Sequence, residues 1–182
     1  MESIQTFRVR IERESVQAGL TNEEFGKDDY NDYRMFLRYA TKYSSKICPS
    51  LEDPKKDSKF HDLVCKETGK KLEGKKLKHG EGVCFAPSVD VGAGRKVNKE
   101  NIQKCFEMNS SYYLYTTTDL DDKFWELTIR WVSIELIKPW YEKYANASGN
   151  ITYNNFMKCI ETSKQDPVAD YMYSRESGFC KL

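Results

Sequence analysis

The chain has 182 residues, with 29 basic and 28 acidic side chains and a formal net charge of +1. It is long enough to bury a core as one domain, and too evenly charged for a whole-molecule field to draw it to nucleic acid or an anionic membrane. Hydrophobic residues make up 39% and aromatics 13%, so large rings can supply core area, which argues against disorder for most of the chain. No apolar run reaches the roughly 20 residues a membrane span needs, so no transmembrane segment is expected.

Taken in order, the opening segment from Ser3 to Val16 is ambiguous. Phe7, Val9 and Ile11 alternate as in a strand, whereas Ile4, Phe7 and Ile11 also fit one helical face, and the segment is read as a helix. Thr21 with Glu24 forms a capping box for a helix to Ile47, with Phe25, Tyr33, Phe36, Leu37, Ala40 and Tyr43 facing inward, stopped by Pro49. A short helix is expected over Asp57–Lys66, carrying Phe60, Leu63 and Val64. The lysine- and glycine-rich stretch that follows reads as an exposed loop or loose hairpin within an irregular region at about 66–96.

Asn98 is placed to cap a helix to Met108 with Ile102, Cys105 and Phe106 inward. The NSSYYLYTTT segment then reads as a linker or a short extended piece, since Tyr and Thr favour strands. The longest helical pattern is Asp119–Tyr144, where Leu120, Phe124, Leu127, Trp131, Ile134 and Ile137 share a face and Pro139 interrupts the last third. Thr152 opens a helix carrying Phe156, Met157, Cys159 and Ile160, and Asp166–Pro167 signals the start of a last helix to Glu176.

The fold expected on this reading is all-α: a single disulfide-bonded helical domain over 1–182, with five or six helices. Six cysteines, Cys48, Cys65, Cys84, Cys105, Cys159 and Cys180, contain no C-x-x-C pair, and their even number fits three disulfides whose pairing the sequence does not choose. Three N-x-S/T sequons, at Asn109, Asn146 and Asn150, exceed the roughly one expected by chance at this composition. Together these point to an oxidising, secreted or extracellular setting. Met1 is not followed by an apolar signal segment, so that setting implies a leader replaced by a start methionine.

Catalytic material is sparse. The only histidines are His61 and His79, the first expected as exposed or helix-capping and the second in a glycine-flexed surface loop. His61-Asp62 with Cys65 four positions after the histidine departs from the secreted phospholipases A2, whose cysteine lies three positions on. Gly92–Arg95 lacks the spacing of a phosphate-binding loop, Asp119–Asp122 reads as a helix start, and no histidine pair has metal-ligand spacing; no cofactor and no metal is expected. The lysines from Lys66 to Lys78 are suited to phosphate, a heparin-like polymer or an acidic partner, but such runs are more often solvated.

The chain is therefore expected to be no enzyme but a secreted or cell-surface glycoprotein acting by protein–protein binding, as a ligand, receptor ectodomain or host-interaction factor. Trp125, Trp140, Tyr112, Tyr113 and Tyr115 are the candidate binding residues, because rigid amphipathic rings suit interfaces. The alternative is a carrier of a small hydrophobic ligand in a cavity between helices. Nucleic acid is not among the expected partners.

Overall fold

Phe7, Val9 and Ile11 are buried while Arg8 and Arg10 between them are exposed, and the period of two makes Gln5–Glu12 a strand, β1. The computed structural model describes residues 2–15, 36–38, 48, 50–56, 58–87 and 98–182. Within these, β2 is Leu51–Glu52, β3 Leu63–Cys65, β4 Lys71–Lys76 and β5 Val83–Cys84; α1 is Lys99–Met108, β6 Asn109–Asp119 and β7 Phe124–Ser133. Helix α2 spans Ile134–Tyr144, β8 Asn150–Ile151, α3 Tyr153–Thr162, β9 Ala169–Ser174 and β10 Gly178–Lys181.

Eight strands form one sheet in the order β10-β9-β1-β7-β6-β4-β3-β2, curled into a half-barrel, and β5 pairs with β8 apart from it. The long hairpin β6–β7 runs in register from Ser111↔Ser133 to Asp119↔Trp125. Two pairings are parallel, β1 with β9 and β4 with β6, and α1 lies in the connection between β4 and β6.

Both faces of the sheet are covered. On one, Phe7, Val9, Ile11, Tyr113, Leu127, Ile129 and Trp131 pack with Phe36, Leu37 and the Cys48–Cys65 disulfide. On the other, Tyr112, Leu114 and Val132 meet Ile102 and Phe106 of α1, Ile134 and Ile137 of α2, and Phe156 and Ile160 of α3. Phe85 sits among Phe106, Tyr112, Tyr141 and Phe156 with ring centroids 5.7–6.1 Å apart, mostly edge-on as ring quadrupoles favour. On the first face β4 passes so close to β6 that a Cβ on Gly74 would lie 2.3 Å from Cζ of Tyr113, its register partner. Only glycine lets that ring lie over the strand.

The all-α, helical-bundle expectation is thus overturned, and the element responsible is Asp119–Tyr144. Its first part is a hairpin and strand, and only Ile134–Tyr144, running through Pro139, is helical. Leu127 and Trp131 are four apart, a spacing that shares one face of a helix and also one face of a strand; Ile129, buried between them, decides for the strand. The acids read as a helix start form the turn instead: the Asp121 carboxylate accepts the backbone N–H of Lys123 at 2.8 Å and of Phe124 at 2.9 Å. The same correction applies at Gln5–Glu12 and Leu63–Cys65, where β1 and β3 stand in place of helices, and at Ala169–Ser174, where β9 pairs with β1. There the Asp166 N–H donates to the Ile4 carbonyl and Asp166 accepts the Ser3 hydroxyl, so Asp166–Pro167 leads into a strand.

Two helices stand where the sequence places them. Asn98 caps α1 by accepting from Glu100 and Asn101, and Thr152 caps α3 by accepting from Asn155. The region at 66–96 is regular over β4, within a hairpin with β3, while 88–97 falls outside the described residues, as do the proposed cap at Thr21 and Glu24 and most of the helix to Ile47; Phe36 and Leu37 within it are helical and buried.

Candidate functional site

The sequence-derived binding residues do not form a surface. Tyr112 and Tyr113 are consecutive in β6, so they point into opposite layers, and both are fully buried. Tyr115 packs against Tyr113 with centroids 6.2 Å apart. Trp125 lies against the Arg13 guanidinium at 4.9 Å, and Trp140 packs edge-on to Phe156 at 5.6 Å. Tyr112 and Tyr113 are thus framework, whereas Tyr115, Trp125 and Trp140 are half-buried at the edges of the two layers. Tyr112 carries a hydroxyl with no partner, and burial, with Cys105, Glu73 and Asp62 nearby, pushes its pKa well up, so it stays a neutral phenol.

Three disulfides are likewise corrected to one. Cys48 and Cys65 are bonded, while Cys84, Cys105, Cys159 and Cys180 are thiols. They are dispersed over β5, α1, α3 and the edge strand β10, and Cys105 and Cys159 are buried in their helices. Cys180 does not pin the C-terminus; strand pairing of β10 with β9 does.

Of the sequons, Asn109 is 3% exposed and its amide nitrogen donates to the carbonyls of Phe60 at 2.6 Å and Cys105 at 2.9 Å, which leaves a glycan no access in the folded chain. Asn150 is half-buried in β8. Asn146 is exposed in the α2–β8 turn, its side-chain oxygen accepting the N–H of Ser148 and of Asn150.

The Asn109 clamp has a second effect, because it holds residue 60 against the end of α1 and so places His61. His61 precedes β3, and at 9% exposure it is neither surface nor cap. Its Nδ1 is buried without a partner. Burial first, and then the Lys71 charge, lower its pKa against the opposing pull of Asp62, so the imidazole is neutral at neutral pH. The β3–β4 turn closes beside it: the Cys65 N–H donates to Lys70, the Gly69 N–H donates to Cys65, and Gly69 takes the left-handed φ of 70° that this turn requires. Lys66 N–H donates to Ser50, and the disulfide ties the turn to Cys48.

These constraints enclose a cleft of about 440 Å³ lined by Glu52, Asp53, Lys55, Lys56, His61, Lys66 and Lys71. A second cleft, of about 450 Å³, opens at the ends of β1, β6 and β7, lined by Ser3, Gln5, Ser110, Ser111, Trp131, Ser133, Glu135 and Asp166. The first cleft sets its charged side chains and His61 beside Pro54, Val64 and Cys65, and the second sets hydroxyl and acidic side chains beside Trp131 and Ile134. Among the described residues, packed side chains form two layers, one on each face of the sheet.

No family model matches the chain, and neither does any curated protein or solved structure.

Among the described residues no group of three or more histidine, cysteine or acidic side chains is placed to hold a metal, and no helix is long and apolar enough to cross a membrane. His79 is exposed, its ring 5.0 Å from Tyr153, and Asp121 spends its carboxylate on the hairpin turn. Gly92–Arg95 lies outside the described residues. The cleft lysines were visible in the sequence only in part. Lys66 and Lys71 belong to the lysine-rich run, but Lys55, Lys56 and His61 join them only through the hairpin and the disulfide.

Proposed function

We propose that the chain is an extracellular glycoprotein that acts by binding another protein through its surface, not by catalysis. One observation carries the reading: large side chains fill both layers around the sheet, which leaves recognition to the exterior. The extracellular setting is supported by the Cys48–Cys65 bond and by the exposed Asn146 in a turn that keeps its amide at the surface. Binding to living cells and to a cell-surface protein array tests the function. Saturable binding that is displaced by excess unlabelled protein is expected; its absence on every cell type and array position overturns the reading. Expression through a secretory pathway tests the setting, with a glycan lost in N146Q and retained in N109Q. Secreted protein without any glycan contradicts it.

A further inference from the structure

We propose that the cleft beside His61 is a binding site for a tetrahedral oxyanion, the sulfate or phosphate group of a small ligand. Four lysines from three chain segments, Lys55, Lys56, Lys66 and Lys71, meet there. Among the described residues none of the four is in an ion pair, whereas Lys75 and Lys78 elsewhere in the run are engaged by Glu73 and Glu81. Of the two carboxylates at the rim, Asp53 is already neutralised by Arg38 at 2.6 Å. Positive charge therefore exceeds negative at the cleft, although the whole chain is nearly neutral.

His61 is the second, independent observation. The ring is 9% exposed and its Nδ1 is buried without a partner, so His61 borders the cleft as a buried imidazole that senses the charge held there. The charged groups acting on it are Lys71, which disfavours the imidazolium, and Asp62, which favours it. An oxyanion held by the lysines reverses the balance, because it screens Lys71 and favours the imidazolium. Donors arriving from three segments suit a group with oxygens at four corners, while a planar carboxylate is matched best by an arginine fork. The volume of about 440 Å³ accommodates the ester's carrier as well as the anion. The site stands independently of a protein partner, so its failure leaves the protein-binding reading untouched.

The test is an NMR titration of the His61 ring across pH in the full chain, at constant ionic strength held by chloride. The probes are inorganic phosphate, inorganic sulfate and a sulfated heparin disaccharide. A saturable shift with a raised His61 pKa is expected. Saturation by the disaccharide alone assigns a sulfated sugar, and saturation by inorganic phosphate assigns a phosphate group. K71Q is expected to weaken the binding by roughly tenfold, the loss of one charge-assisted contact. The surface double variant K55Q/K56Q, which leaves the hairpin intact, is expected to weaken it too, and K78Q to leave it unchanged. Non-saturating shifts, or equal binding in all three variants, mean general screening and overturn the proposal.

Discussion

Protonating His61 places a charge where burial and Lys71 oppose it, so the unfolded chain holds that proton more tightly than the native one. The sign follows from linkage: stability attributable to this residue is intact above the unfolded pKa of about 6.5 and is lost as pH falls through that value toward the lower folded one. Denaturant midpoints measured from about pH 7.5 to about 5 are expected to decline less steeply in H61Q than in the parent, and superimposable profiles would refute the assignment. Gly74 permits a quantitative test of packing. Gly74→Ala places a methyl 2.3 Å from the Tyr113 ring, and the overpacking is expected to cost about 1–3 kcal/mol in urea unfolding. The double variant G74A/Y113L should recover part of that loss, because the ring is the obstacle. At Cys48–Cys65, the bond closes a separation of 17 residues. Reduction is expected to lower stability by about 3 kcal/mol on the chain-entropy account, and a change below about 0.5 kcal/mol would mean that the unfolded chain is already held together there.

At the scale of elements, helices α1 and α3 form where local chemistry is sufficient. Asn98 satisfies two orphan N–H groups of α1, and Asn98→Ala is expected to cost about 1 kcal/mol, read as a shift in thermal midpoint with unchanged circular-dichroism shape. The strands depend on neighbours instead. Strand β1 has β7 on one side and β9 on the other, both contributed from the last third of the chain. No residue within Gln5–Glu12 announces those partners. The Leu127–Trp131 spacing of four, and the acids at Asp119–Asp122, satisfy helix rules and strand-and-turn rules equally well. That ambiguity is the physical reason why β7 carries a helical pattern, and Trp125, a candidate binding residue by sequence, lies in a strand against Arg13.

For the molecule as a whole, the order of the sheet predicts the order of opening. Strands β1, β6 and β7 lie inside it with both edges paired, while β10 and β2 are its margins. Native-state hydrogen exchange is expected to give the slowest amides at Phe7–Ile11 and Leu127–Val132, with β10 exchanging through smaller local openings. Equal protection in β10 and β7 would mean that the edge is covered by another part of the chain or by a second molecule. Long-range pairing also concentrates the candidate site: His61 reaches the cleft because the carbonyl of its neighbour Phe60 is held by Asn109, 49 residues after Phe60 in the chain.

Composition and short-range pattern determined that this chain has a folded aromatic core, where α1 and α3 begin, and that lysine gathers between Lys66 and Lys78. Those features arise from interactions within a few residues, chiefly caps and one-face periodicity. Tertiary structure alone decided that the chain is a curled sheet faced by helices, that one cysteine pair is bonded, that Tyr112 and Tyr113 are interior, and that Lys55, Lys56 and Lys71 share a cleft with a buried histidine. Each of these depends on which distant strand lies alongside, and a period of two records which face is buried without recording against what.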